Sequence, residues 1–427
     1  MSAVWVAGFF YIFDRINISL AAPKIIEDLD LTGVQMGMIL SIYFWGFIIG
    51  NPLGGVIVDH SRRIRWLTFA TLMVWSILTA LTAACTQLHH FYLVRGMLGF
   101  AEGISVPCFQ KLHNNWLLPE ERGRYYGVFE GCVRLGAAFG LPLIGWLINL
   151  WTWRGMFYAS SVLTFVIAVY VFLMVRDRPQ DHPWVSPRES DLIRAAIEKD
   201  RVTYDPSADG AKKVGFRESF LIMARDGAFW LLLLSYFLIL ALYFANMTWL
   251  PGYLVKERGF SIIQSGVYLI LPYLGSVAGT LVCGYIGDKT NRRSLVAIGF
   301  CVLACPAMIG AMAVTTPWAI VALLTLALFL SMGATNSLVV LFYELFPPEA
   351  FATGIGILVG VGGGIAGLVA PLVIGYLLDL TGSFFWGFTT FALANLVAGG
   401  CFVLIMPRES QVKAQKAARM ALAVQGK

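Results

Sequence analysis

Charge is scarce in this sequence. Lys, Arg, Asp and Glu make up 13% of its 427 residues, against roughly a quarter in an ordinary soluble domain. With 58% apolar residues and a mean hydropathy of +0.73, too little polar side chain is left to clothe a water-exposed surface. Cysteine is sparse as well: Cys85, Cys108, Cys132, Cys283, Cys301, Cys305 and Cys401 sit singly in or at the ends of apolar runs, with no CxxC spacing. That excludes a disulfide framework and a thiolate metal site. No GxSxG, HExxH or phosphate-loop pattern occurs, and the glycine-rich "GVGGGIAG" follows no strand. Neither an enzyme nor a cofactor is expected.

What is present is a series of long apolar runs. A hydrocarbon core of about 30 Å needs about 20 helical residues to cross it. Twelve such spans are predicted, at 3–26, 34–58, 65–86, 89–113, 123–149, 153–175, 227–255, 262–287, 294–314, 317–345, 351–380 and 383–406. The first lacks a basic leader and a small-residue cleavage site, so it reads as span 1 and not as a secretory signal. Basic residues concentrate in "HSRRIR" (60–65), "PEERGR" (119–124), 176–226, "DKTNRR" (288–293) and "VKAQKAARM"; the alternate connections carry only Lys24, Arg154, Lys256 and Arg258. By the positive-inside rule both termini are cytoplasmic in an inner (plasma) membrane. The net charge of +6 is then topological, and no nucleic-acid partner is implied.

One long polar connection divides the spans six and six, giving an N-terminal bundle (1–175), a linker (176–226) with a short amphipathic helix at 187–201, a C-terminal bundle (227–406) and a tail (407–427). The two bundles repeat each other at a constant offset: Gly50 with Gly279, Gly55 with Gly284, Asp59 with Asp288, Pro119 with Pro348, Glu120 with Glu349, Gly127 with Gly356 and Pro142 with Pro371, where 279 − 50 = 229 in each case. The fold class is all-α, with twelve transmembrane helices in two pseudo-symmetric six-helix bundles. Parallel repeats around a midplane site are a transporter plan, and "GVIVDHSRR" (55–63) and "GYIGDKTNRR" (284–293) resemble the loop signature of the major facilitator fold. His60, Arg62 and Asn291 depart from it. The resemblance implies that Asp59, Arg63, Asp288 and Arg292 latch helix ends and act in gating.

Against this apolar background six charges lie within spans: Asp14 and Arg15 in span 1, Arg95 and Glu102 in span 4, Glu130 and Arg134 in span 5. Each costs at least about 2.5–3.5 kcal/mol at the bilayer centre, so they are paired or face water. Arg95 and Glu102 are seven apart and Glu130 and Arg134 four apart, spacings that return to one helix face. At the 229 offset the six become Tyr243, Phe244, Leu324, Ser331, Val359 and Gly363. The fold therefore does not require them. Glu130 and Arg134 have two readings, a self-neutralising pair and part of a site. Asn17 and Asn246 occupy equivalent places, and with Tyr243, Thr248, Tyr273, Asn336 and Ser337 they are candidate polar contacts or interhelical bonds. The glycines of span 5 (Gly127, Gly131, Gly136, Gly140) and of span 11 (Gly356, Gly360, Gly364) read as close-packing surface. His89, His90 and His113 flank the membrane, away from mid-depth.

"FDRINISLAAPKI", "RGMLGFAEGISVP", "NNWLLPEERGRYYGVF" and "TWLPGYLVKERGFS" resemble segments of the anion:cation symporter family, which includes bacterial sugar-acid transporters, vesicular glutamate transporters and sialin. The resemblance implies proton-coupled uptake of a small organic anion by a monomer, with Asp14 and Glu102 as proton sites and Arg15 and Arg95 in anion recognition. A guanidinium fork matches a carboxylate and stays charged at any relevant pH. Departures at Glu130 and Arg134, at Tyr11 and in "GILVGVGGGIAG" weaken a polyhydroxylated substrate and leave room for a dicarboxylate or a less hydroxylated acid. An organic-phosphate or anion exchanger and a non-transporting anion-binding receptor are the alternatives. A drug exporter is disfavoured by the arginines.

Overall fold

The computed structural model describes residues 2–61, 63–118, 121–203, 216–347 and 351–425, and among them every regular element is helical. The first six long helices are α1 (Ser2–Leu29), α2 (Gly33–His60), α3 (Ile64–Ala84), α4 (Leu88–Trp116), α5 (Arg122–Leu150) and α6 (Trp153–Met174). Two shorter helices follow, the polar α7 (Pro187–Thr203) and the amphipathic α8 (Phe216–Ala224). The rest are α9 (Gly227–Lys256), α10 (Ile262–Tyr268), α11 (Ile270–Thr290), α12 (Arg293–Ala313), α13 (Pro317–Leu345), α14 (Phe351–Ile357), α15 (Gly364–Thr381) and α16 (Phe384–Gln425).

Local chemistry sets several boundaries. Thr32 begins α2 with a capping box in which its hydroxyl accepts from Gln35 N–H and the Gln35 side chain accepts from Thr32 N–H. Ser261 and Gln264 build the same device at the start of α10. Gly382, at φ +71°, ends α15 in the left-handed region that glycine enters without strain. Three predicted spans run differently from expectation. Span 8 breaks at Leu269 into α10 and α11, and span 11 passes through a π-helical stretch, Leu358–Gly363, between α14 and α15. Span 12 does not stop at 406; α16 continues through Pro407 to Gln425, on a run of good helix formers.

Among the described residues eleven helices are long and apolar enough to cross a membrane. The twelfth long segment, α4, is 29 residues and falls outside that class because Arg95, Glu102 and Lys111 lower its hydropathy. Glycine seats it against α2. A Cβ on Gly46 would collide with the Gly96 carbonyl, one on Gly99 with the Tyr43 carbonyl, and one on Gly50 with the Phe100 carbonyl. The same crossing recurs in the other half, where Gly275 meets Thr325 and Gly279 meets the Phe329 carbonyl, each pair displaced by 229 (279 − 50, 329 − 100). The repeat is thus a repeat of packing as well as of sequence.

The glycines elsewhere do not behave alike. Gly136 and Gly140 of α5 seat it on Phe9, Ile12, Phe13 and Ile16 of α1, as close packing requires. Gly131, Gly356 and Gly360 face open space, which corrects their reading as packing surface; Gly127 has no described side-chain environment.

Contacts divide the chain into two compact units, Met1–Lys213 with Thr248–Ile270, and Val214–Met247 with Leu271–Lys427. The end of α9 and all of α10 belong to the first unit because Gly252 packs on Pro23, and Gly266 on Leu141 and Pro142. In the second unit Phe229, Leu232, Ile239, Leu338, Phe342 and Phe402 form a buried core. Outer faces of both are apolar, with Leu93 at 66% and Leu281 at 70% exposure, the surface a helix presents to lipid.

Candidate functional site

Asp14 and Arg15 are neighbours in α1, yet their side chains go to different helices. Asp14 turns to α3 and is 1% exposed. Its Oδ2 accepts from the Trp75 indole N–H and the Thr79 hydroxyl, and its Oδ1 accepts from Asn17 Nδ2 at 2.5 Å. Trp75 and Thr79 are one turn apart, so one face of α3 supplies both donors. Arg15 turns to α2. Its guanidinium carbon lies 4.6 Å from the Phe44 ring centre, 5.0 Å from that of Tyr43 and 5.4 Å from that of Phe47, and Nη1 donates to Tyr11 Oη at 3.4 Å. Aromatic faces hold a guanidinium at such distances without neutralising it.

The α2–α4 crossing brings Arg95 and Glu102 to the same place. Tyr43 donates its phenol hydrogen to Glu102 Oε2, and Arg95 lies 5.4 Å from the Tyr43 ring centre. Tyr43 therefore touches both arginines and one carboxyl. Glu102 is 0% and Arg95 2% exposed. Glu102 Oε1 and Arg95 Nε and Nη1 have no hydrogen-bond partner, and among the described residues no ion pair ties Arg95 to Asp14 or Glu102. Buried donors of this kind are rarely left unmade in a native structure, and those that are call for an explanation such as a ligand.

Asp14 and Glu102 thus differ. Asp14 takes three donors from protein, whereas Glu102 takes one and leaves Oε1 without a partner, as Arg95 leaves Nε and Nη1. Asn17 Oδ1 is another buried atom without a partner. The first unit thereby gathers Asp14, Arg15, Asn17, Arg95 and Glu102 into one cluster, centred on Tyr43 and Trp75.

Sequence reasoning missed Tyr43, Trp75 and Thr79. The signal was available at the same offset, where they become Pro272, Ala304 and Met308: the partners vanish from the second half along with the charges they serve. Ser331, which replaces Glu102 there, donates to Asn395 at 3.4 Å.

Other named residues lie apart from this cluster. Arg134 is half-buried on α5, and no hydrogen bond or ion pair joins it to another described residue. Glu130 falls on α5, with its side chain outside the described residues, as are Arg62, Pro119, Glu120, Pro348 and Glu349. In the second unit Asn246 donates to the Leu242 carbonyl at 2.8 Å and leaves its own Oδ1 without a partner. Tyr243 packs its ring 5.5 Å from Phe244. The Tyr273 hydroxyl is buried without a partner, and Asn336 Nδ2 lies beside Gly284. His113 is buried against Phe129, ring centres 5.1 Å apart.

The loop residues pair in ways the signature does not give. Asp59 meets Lys111 at 3.5 Å, and Arg63 precedes α3, its N–H donating to Ser61 Oγ. Asp288 pairs with Arg293 at 2.6 Å, not with Arg292. Arg293 also holds Glu344 at 2.6 Å, Lys413 bridges Glu344 and Glu409, and Glu409 accepts the N–H groups of Arg293 and Ser294. Glu344, Lys413 and Glu409 were not foreseen, because they reach the loop from helices distant in sequence.

The family model of the Major Facilitator Superfamily matches residues 4–359. The chain belongs to the Major Facilitator Superfamily. Its curated relatives include the hexuronate transporter of Bacillus subtilis, 28% identical over 419 residues, 94% of this chain and 90% of that one. The probable galactarate/D-glucarate transporter of Escherichia coli is 28% identical, over 87% of this chain and 84% of its own. The probable sulfoacetate transporter of Cupriavidus necator is also 28% identical, over 88% and 86%. Among solved structures, a bacterial homologue of the human lysosomal transporter Spinster superposes with a TM-score of 0.76 at 16% identity, covering 96% of this chain and 95% of that one. At that identity the likeness shows the fold alone. This Major Facilitator protein is therefore a multi-pass membrane transporter and not an enzyme.

Proposed function

We propose that the protein imports a small organic anion together with protons, by alternating access. The observation that carries this reading is the buried cluster around Tyr43, where Arg95 presents hydrogen-bond donors without a protein acceptor next to a carboxyl with one free oxygen. An anionic carboxylate satisfies the guanidinium, and a proton on Glu102 satisfies the remaining charge balance. Arg15, held over three aromatic rings, supplies a second cation to the same ligand.

Asp14 and Glu102 divide the proton work. Glu102, with one donor, is the group that gains and loses its proton in each cycle; Asp14, with three donors from α1 and α3, is the second proton site. Asn17 and Asn246 contribute carbonyl oxygens to substrate hydroxyls, and Tyr243 and Asn336 contribute from the second half of the repeat. Asp59, Arg63, Asp288 and Arg292 belong to the gate at the α2–α3 and α11–α12 connections. The relatives named for hexuronate, galactarate/glucarate and sulfoacetate support an organic acid as cargo. The basic loops support cytoplasmic termini. One chain holds both halves of the repeat, so a monomer suffices.

A thermal-shift screen of purified protein tests this, using mono- and dicarboxylates, sugar acids, phosphate esters, neutral sugars and lipophilic cations, with Arg95→Ala alongside. A ligand at about 100 times its Kd stabilises by about 2.7 kcal/mol. Stabilisation by carboxylates that Arg95→Ala abolishes supports the reading; stabilisation by lipophilic cations alone contradicts it.

A further inference from the structure

Three stripes run along α5. Val128, Leu135, Phe139, Trp146 and Leu150, spaced by seven, four, seven and four, are exposed and mark the lipid side. Phe129, Gly136 and Gly140 mark the side packed on α1, through Gly8, Phe9, Ile12, Phe13 and Ile16. Leu141 and Gly145 mark a third side, covered by Gly266 and Ile262 of α10. Arg134 lies seven residues before Leu141 and eleven before Gly145, on that third stripe. It lies beyond the α10 contacts, is only half-buried and makes no ion pair or hydrogen bond with a described residue. It is thus off the lipid-facing stripe and without a counter-ion among the described residues.

The register of α5 on α1 sets its depth. Gly136 opposes Phe9 and Ile12, and Gly140 opposes Phe13 and Ile16. Arg134 is thus level with about residue 8 or 9 of α1, about 10 Å along the axis from Arg15 at 1.5 Å per residue. In the second half of the repeat the position is Gly363, packed against Leu240 and Tyr236, so the Arg134 side chain has no counterpart there.

We infer that Arg134 binds a second anionic group, so that the transported acid is a dianion with its charges at opposite ends, one held at Arg95 and Arg15 and the other at Arg134. This rests on the organic-anion reading above and names its substrate class. Arg95 is buried and leaves Nε and Nη1 without a partner, and Arg134, only half-buried, has no acidic partner among the described residues. Its guanidinium takes a carboxylate or sulfonate through two parallel N–H donors. The acidic neighbour one turn away, Glu130, is the competitor for that guanidinium, and the test addresses it directly.

Binding is measured by thermal shift and isothermal titration on the purified full chain, with two matched pairs of acids, succinate against butyrate and glucarate against gluconate. Each pair differs in one terminal carboxylate. Wild type is expected to prefer the dianion of at least one pair, and Arg134→Gln to lose about tenfold or more of dianion affinity while binding the monoanion as wild type does. Retained monoanion binding shows that the variant is folded. Arg134→Lys restores part of the preference, and Glu130→Gln preserves or increases it. The inference is overturned, with the organic-anion reading intact, if Arg134→Gln binds both members of each pair as wild type does, or loses both equally. If wild type binds none of the four acids, the underlying reading fails and this inference with it.

Discussion

The phenol of Tyr43 donates to Glu102 Oε2 while its ring centre lies 5.0 Å from the Arg15 guanidinium carbon and 5.4 Å from that of Arg95. One side chain thus couples both cations to the carboxyl. Its hydroxyl and its ring do different things, and substitution separates them. Tyr43→Phe keeps the ring and removes the donor, so substrate-for-substrate exchange in liposomes is expected to stay within about twofold while proton-driven accumulation falls. Tyr43→Ala is expected to lose both. Equal loss of exchange in the two variants would show that the ring is not a separate support.

Asp14 accepts from Trp75, Thr79 and Asn17, and each donor to a charged acceptor contributes about 1.5–3 kcal/mol. Thr79→Val and Trp75→Phe are each expected to lower the melting temperature of the ligand-free protein, and Thr79→Ser to restore it. An unchanged melting temperature in Thr79→Val would mean that Asp14 finds its donors elsewhere.

In the loop between α11 and α12, Arg293 is 12% exposed and holds Asp288 and Glu344, whereas Arg292 has neither. Asp288, at 71% exposure, is screened by water and adds little. Arg293→Gln is expected to cost about 2 kcal/mol, mostly from the Glu344 contact, and Arg292→Gln under about 0.5 kcal/mol. Chemical denaturation compares them. The loop signature alone ranks the two the other way, so the order of the two losses decides between signature and geometry.

Where the Gly279 backbone meets the Phe329 carbonyl, a methyl group has no room. Gly279→Ala is expected to destabilise by about 1–3 kcal/mol, as is its repeat counterpart Gly50→Ala; Gly356→Ala, which faces open space, is expected to be tolerated. Yield of monodisperse protein after detergent extraction gives the ranking.

Much of this was legible in the sequence because the repeat compares the chain with itself. Gly50 with Gly279 and Phe100 with Phe329 keep both sequence and contact at the 229 offset, so helix count and duplication could be read before any coordinates. The charges of span 1 and span 4 stood out for the opposite reason, as Asp14 becomes Tyr243 and Glu102 becomes Ser331. What stayed hidden was direction. Asp14 and Arg15 are adjacent, and no linear pattern says that one turns to α3 and the other to α2. Trp75 and Tyr43 went unnoticed because an aromatic in an apolar span reads as packing until a carboxylate is found beside it. Long-range polar closure, such as Glu409 capping α12, has no local signature at all. The break of span 8 at Leu269 and the contacts of α10 with α5 have no marker in the linear pattern.

The account rests on Glu102 exchanging a proton beside Arg95, and purified protein in liposomes tests that most directly. An acid outside pH is applied across the membrane, and uptake of an acid found to bind is followed with Glu102→Gln beside wild type. Wild type is predicted to concentrate the acid only when the gradient is present, and Glu102→Gln to bind it and exchange it without concentrating it. Gradient-driven accumulation by Glu102→Gln would contradict the account.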